Sequence, residues 1–352
     1  MKGNVFSRAS LLLSLSTSCL AADPPPLVTT RWTADPSAHV FQGKLYLYAS
    51  HDIDAGIPSN DVGDHFAMRD YHVYSMKQIY GSKPVVDHGI ALAVEDVPWA
   101  SRQLWAPDAA YKNGNYYLYF PAKDRDDVFR IGVAVSTKPS GPFKADESFI
   151  PNTFSIDPAS FTDTDGSSYL AWGGINGGQL QAWQDKEFFN KSWIGPKEPP
   201  DEADALSPQI AMLSDNMHTL AEKPRDMVIL APETGKPLKS GDKDRRFFEG
   251  PWIHKRKGVY YLLYSTGDTH YLVYATADNP YGPWTYRDRL LEPVTGWTTH
   301  GSIVQFKGQW WLFYHDSEGS GGRTELRQVK AKKIWYDRHG KIVLSPPYRA
   351  SG

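Results

Sequence analysis

Three carboxylates recur in similar settings along this chain: Asp35 in Ala34-Asp35-Pro36, Asp157 in Ile156-Asp157-Pro158, and Glu249 in Phe248-Glu249-Gly250-Pro251. Glu249 is flanked by Phe247, Phe248 and Trp252. Apolar neighbours solvate a carboxylate poorly and favour its neutral form, so the Glu249 pKa is expected to rise and a proton to be kept near neutral pH. A carboxylic acid that keeps its proton can act as a general acid. A second or third carboxylate nearby would reinforce the effect by repelling the ionised form. In isolation each of these residues reads as an ordinary turn or strand-edge acid. Their places in a repeat change that reading.

The repeat is a hairpin. Aligned on Gly43, Gly114, Gly166, Gly258 and Gly308, five segments each run from a short apolar strand through a polar turn into a strand rich in Tyr, Trp and Leu. Polar-Gly turns between such runs signal β-hairpins. The glycines lie 50 to 92 residues apart, which leaves room for a four-stranded sheet per unit. Val133–Phe143 and Val273–Trp284 repeat the outer part, each ending in Gly-Pro-aromatic. No long helical pattern interrupts the series. The expectation is an all-β fold, a five-bladed β-propeller.

A propeller lines its central channel with the first strand of every blade, so the starts of those strands meet at one mouth. Eight or nine residues before each turn glycine stand Asp35, Trp105, Asp157, Glu249 and His300. Ring closure therefore gathers two aspartates, a glutamate, a histidine and an indole from distant parts of the sequence. Trp105 either fills core or offers its face to a sugar ring. His300 points along the channel axis, where a cation or an ordered water could sit. Asp108, three residues nearer its turn than Trp105, is expected to hold the blade together. Arg327 and its neighbour Arg323 could each reach the mouth to hold a sugar hydroxyl or a carboxylate, or form a surface ion pair.

Other features bound the reading. Residues 1–22 carry Lys2 and Arg8, an apolar run and small residues at Ala21 and Ala22, the pattern of a secretory signal peptide. Residues 23–30, with Pro24-Pro25-Pro26, read as a Pro-rich linker, and 31–352 as one catalytic propeller domain. The single cysteine, Cys19, falls within the signal, which excludes a thiol nucleophile or Cys-bound zinc in the mature chain. Loss of Lys2 and Arg8 leaves 36 basic against 40 acidic residues, a balance that attracts neither nucleic acid nor an anionic membrane. Secretion to the extracellular space and a monomer are expected. Asn190-Lys191-Ser192 is a glycosylation sequon. The stretch with His51, Asp52, Asp54, Asp61, Asp64, His65, Asp70 and His72 has no zinc or EF-hand spacing and reads as a solvated loop with one or two substrate contacts. Residues 181–246 fit the repeat poorly and read as long blade-edge loops that shape selectivity.

Paired carboxylates with a third to tune them, at a mouth lined with aromatics, suit glycoside hydrolysis. Phosphate loops, nucleophile elbows and His-Glu-x-x-His motifs are absent. At this point the chain resembles glycoside hydrolase family 43. The motifs that carry the resemblance are Ala34-Asp35-Pro36, Trp105-Ala106-Pro107-Asp108, Ile156-Asp157-Pro158, Phe248-Glu249-Gly250-Pro251 and the two Gly-Pro-aromatic segments. The resemblance implies an inverting enzyme with Asp35 as general base, Glu249 as general acid and Asp157 as the residue that raises and orients the acid. It also implies Arg327 as a sugar contact, and a calcium ion or water near His300, with no cofactor required. The expected substrate is a plant cell-wall oligosaccharide or polysaccharide, cleaved as an exo-acting β-1,4-xylosidase. The alternatives are an α-L-arabinofuranosidase or arabinanase on the same fold and, from another class, a non-catalytic carbohydrate-binding propeller.

Overall fold

A computed structural model describes residues 23–183 and 186–345. Residues 1–22, where a signal peptide is expected, and with them Cys19, lie outside the described residues. Strands make up five antiparallel-built sheets arranged as a five-bladed propeller, and the described residues hold no α-helix, only short 3₁₀ turns. Blade 1 spans residues 32–93, blade 2 100–145, blade 3 159–226, blade 4 229–291 and blade 5 301–343.

The turn glycines act as the sequence implies. Gln42-Gly43, Asn113-Gly114, Lys257-Gly258 and Lys307-Gly308 all have positive φ at both residues, with φ of 49° to 53° at the first and 72° to 86° at the second. Such two-residue turns match the twist of the strands they join, and the tight pairs Phe41↔Lys44 and Arg256↔Val259 close on them. The tyrosine- and leucine-rich second strands form the cores between blades. Leu262, Tyr264, Trp172 and Trp284 are wholly buried there.

The five innermost strands, Trp32–Phe41, Asp108–Lys112, Ala159–Thr162, Glu249–Arg256 and Gly301–Phe306, stand side by side in cyclic order around the channel. Each blade is built from its own stretch of chain, so the ring closes by packing blade 1 on blade 5. There the Thr33 N–H donates to the Arg327 carbonyl at 2.8 Å and the Ala38 N–H to Ser302 Oγ at 3.2 Å. Residues 23–30 are docked at their far end, since Leu27 and Val28 are buried and the Leu27 N–H donates to the Val329 carbonyl.

Asp108 is the buried knot of the channel. It accepts from Ser160 Oγ at 2.7 Å, lies 2.6 Å from His39 Nε2, and also bonds Ser37 Oγ and the Ser160 N–H, joining blades 1, 2 and 3. Residues 181–246 differ from the expectation of loops alone. They supply the outer strands of blade 3, Gln209–Met212 and Arg225–Asp226, and a strand of blade 4, Ile229–Leu230, that pairs in parallel. These strands run only two to four residues, too short for a period-two pattern to stand out. Asn190 Oδ1 accepts from the Ser192 N–H and hydroxyl, capping a 3₁₀ turn at the chain's sequon.

Candidate active site

The local backbone aims the carboxylates. Asp35 and Asp157 take left-handed φ values of 50° and 56°, uncommon for residues other than glycine. In blade 1 the ladder slips between Ala34 and Ser37, and in blade 4 between Glu249 and Trp252, where Gly250 has φ 68°. Such bulges at the rim of a sheet re-aim side chains. Gly250 is also required by space, since a Cβ there would sit 3.2 Å from the His300 ring.

Asp35, Asp157 and Glu249 line one cavity of 440 Å³, together with Trp105, Phe66, Phe248, Trp297 and Arg327. The lining comes from all five blades and their loops. This volume suits a small ligand. Trp105 is both wall and core: its Nε1–H donates to the Phe66 carbonyl at 2.8 Å, it packs on Phe129, and Gly63 lies so close that a Cβ would reach 2.6 Å from the indole. The 59–68 loop contributes Ser59, Asn60, Asp61, His65, Phe66 and Met68 to the cavity wall.

Asp35 sits in a cradle of donors. Ser50 Oγ donates to its Oδ2 at 2.7 Å and Arg327 Nη1 to its Oδ1 at 3.0 Å. Burial alone would raise its pKa, but Arg327, His315, His300 and Ser50 outweigh that and hold it at about 2. Of these, Arg327 is the permanent charge. His315 is buried, its Nδ1 accepts the Asp35 N–H at 3.0 Å, and its pKa is held down to about 3, by burial first and then by Arg327, so its ring is neutral at ordinary pH.

Arg327 faces the cavity, but its donors are largely committed. Nε and Nη2 bind Asp52 in a fork at 2.8 Å each, while Nη1 takes Asp35 and Thr298 Oγ1. The expected sugar contact is thus also the counter-ion of Asp35. The competing Arg323 lies on the surface, paired with Asp54 and Glu325. Ser50 and His315 escaped the sequence reading, and Asp52, expected in a solvated loop, is instead the buried last residue of the strand Lys44–Asp52. All three lie well beyond the inner-strand starts, and only the ladder of blade 1 and the closure of the ring bring them around Asp35 and Arg327.

Glu249 and Asp157 behave oppositely to Asp35. Burial, and then the charge of Asp35, push Glu249 up to about 8 against the pull of Arg327. Asp157 is also pushed well up, by burial first and by Glu249 and Asp35. Both are therefore biased toward the neutral form near neutral pH. The Gly250 N–H donates to Asp157 Oδ2 at 3.0 Å and pulls it back toward the anion, less strongly than burial pushes, while Glu249 is the more exposed of the two and the acid presented to the cavity.

His300, expected as a substrate contact, is not among the residues lining the cavity; it stands beside the two aspartates, with Nδ1 3.7 Å from Asp35 Oδ1 and 3.9 Å from Asp157 Oδ2. Burial lowers its pKa, so it is a neutral ring. As a calcium site this position supplies few protein ligands of its own, so water would provide most of the coordination. Calcium takes six to eight oxygen ligands, whereas His300 offers nitrogen and the neighbouring carboxylates are already bonded to Arg327, Ser50 and Gly250. The histidine- and carboxylate-rich group that could hold a metal lies elsewhere, at His51, Asp70 and His72.

A propeller whose mouth holds one carboxylate ionised and another protonated defines a glycoside hydrolase. Residues 25–342 match glycosyl hydrolases family 43, and the chain belongs to that family. It is 59% identical over 324 residues to xylosidase/arabinosidase 43A of Humicola insolens, covering 92% of this chain and 99% of that protein. It is 52% identical to a xylosidase/arabinosidase of Bacteroides ovatus, over 90% of this chain and 96% of that one. Among solved structures it is similar to CoXyl43, a β-xylosidase/α-arabinofuranosidase from a compost microbial metagenome, in a calcium-free complex with xylotriose. The TM-score is 0.89 at 56% identity, over 94% of this chain and 99% of that one.

Proposed function

We propose that this glycoside hydrolase is a β-1,4-xylosidase that releases single xylose units from xylo-oligosaccharides with inversion. The observation that carries the mechanism is the opposed protonation of two carboxylates in one cavity, Asp35 at about 2 and Glu249 at about 8. Ionised Asp35 takes a proton from a water that attacks the anomeric carbon. Glu249 gives its proton to the departing glycosidic oxygen as that bond breaks. Asp157 acts through Glu249, as a neighbouring carboxyl group that disfavours the ionised acid and fixes the adjacent Gly250 backbone. Because water attacks from the face opposite the leaving group, a β-xyloside yields α-xylose.

Exo action is supported by similarity to proteins called xylosidase, among them a β-xylosidase of Xylanibacter ruminicola. The xyloside reading is supported by similarity to proteins called xylosidase/arabinosidase and to a structure holding xylotriose. Those same double names support α-L-arabinofuranosides as a second substrate class. Residues 1–22 support secretion, which N-terminal sequencing of protein from culture medium tests: a start at or near Asp23 is expected, and an intact Met1 would refute it.

Time-resolved proton NMR of an aryl β-xyloside, with the arabinofuranoside in parallel, tests the whole reading. α-Xylose is expected before mutarotation. β-Xylose first would remove Asp35 as the base, and turnover of the arabinofuranoside alone would move the substrate. No turnover of either would favour a binding module.

A further inference from the structure

Blade 1 carries a second cluster of ligating side chains, outside the cavity. The strands Lys44–Asp52 and Asp70–Met76 pair in the register Ser50↔Tyr71 and Ala49↔His72, which sets His51 opposite Asp70. Alternation along a strand then puts His51, Asp70 and His72 on one face. The same alternation sends Ser50 and Asp52 the other way, to Asp35 and Arg327. One ligand atom from each of His51, Asp70 and His72 lies within 4.8 Å of the others.

The hydrogen bonds prepare this face for a cation. His72 Nδ1 bonds Asp87 Oδ1 at 2.8 Å, and Asp87 is itself fixed by Arg31 and the Gly89 N–H. In the neutral ring that leaves Nε2 as the lone-pair nitrogen. It has no hydrogen-bond partner among the described residues and lies 3.9 Å from Asp70 Oδ1, so two acceptors face each other. On the far side, His51 Nδ1 is 2.6 Å from the same oxygen. The His72 side chain is 4% exposed, while those of His51 and Asp70, at 15% and 21%, leave a way in. A carboxylate behind a ligating histidine is the usual outer support of a metal site.

We propose that His51 Nδ1, His72 Nε2 and Asp70 Oδ1 bind a divalent transition ion of the zinc class, with Asp87 as the positioning residue for His72. The ion replaces the proton between His51 and Asp70, the His51 ring passing to its other tautomer with the N–H on Nε2, and water completes the coordination. Bonds of about 2.0–2.1 Å on a tetrahedral ion set its ligands roughly 3.3 Å apart, so the 2.6 Å contact opens and the 3.9 Å contact closes, each by well under an ångström. Two imidazoles favour zinc, nickel, copper or cobalt over calcium or magnesium. The ion would clamp the two middle strands of blade 1 behind the Asp52–Arg327 fork.

The test is calorimetric titration of chelator-treated full-length protein with zinc chloride, with cobalt chloride followed by visible absorption. One equivalent of zinc is expected to bind, and cobalt to develop a d–d band. Asp87→Asn is expected to weaken zinc by about 10–100-fold and His72→Gln by more, while calcium chloride gives no signal. Glycosidase activity reports that each variant is folded; if His72→Gln is inactive, the more exposed Asp70→Asn takes its place. Absence of zinc binding at millimolar concentration, equal affinity in His72→Gln or Asp70→Asn, or equal binding of calcium would each overturn the proposal.

Discussion

Glu249→Gln separates the chemistry of the acid from its cost to the fold. Glutamine keeps the shape and removes the proton. With xylobiose, whose leaving group needs protonation, kcat is expected to drop about 10²–10⁴-fold; with a dinitrophenyl β-xyloside, which departs as a stable anion, the drop is much smaller. Stability moves the other way. The folded pKa of Glu249 is raised from 4.5 to about 8, so below 4.5 the carboxyl is protonated in both states and costs nothing. As pH rises between those values the unfolded chain sheds the proton while the fold retains it, and each pH unit lowers stability by about 1.4 kcal/mol. At pH 7 that amounts to roughly 3 kcal/mol as an upper figure, reduced by solvent at the cavity mouth. Urea unfolding at pH 4 and pH 7 reads the effect: the variant is expected to match the wild type at the lower pH and exceed it at the higher. Equal activity losses on both leaving groups, or a stability difference independent of pH, would refute the assignment of the proton to Glu249.

Asp35→Asn removes the base, so its loss of about 10²–10⁴-fold is expected with good and poor leaving groups alike, which kinetics on the same two substrates checks. The wild-type pH profile of kcat/KM is expected to fall above about pH 8 as Glu249 ionises, and on the acid side only toward 2, where Asp35 takes up a proton. Arg327→Lys cannot reproduce the fork to Asp52 and the bond to Asp35 together, so the acid limb is expected to move up by roughly 1–3 pH units. Asp108→Ala breaks the buried contacts among blades 1, 2 and 3 and is expected to cost about 3–5 kcal/mol in chemical unfolding.

The hairpin glycines and the positions eight or nine residues before them determined the architecture and brought Asp35, Asp157, Glu249 and Trp105 to one mouth, with His300 beside the two aspartates. That much is local: a two-residue turn needs positive φ, and the strand it closes has a fixed rise, so the distance from turn to rim can be counted along the chain. The apolar setting of Glu249 likewise announced a raised pKa. Only the tertiary structure decided what surrounds Asp35. Ser50 and Asp52 arrive from the second strand of blade 1, and His315 and Arg327 from the second and third strands of blade 5, across the seam where the ring closes. Contacts between strands of different blades depend on ladder register and ring closure, neither of which leaves a spacing in sequence. The same holds for His51, Asp70 and His72: the residues stand 19 and 2 apart in the chain, unlike any metal motif, and become one cluster because an antiparallel register sets 51 opposite 70.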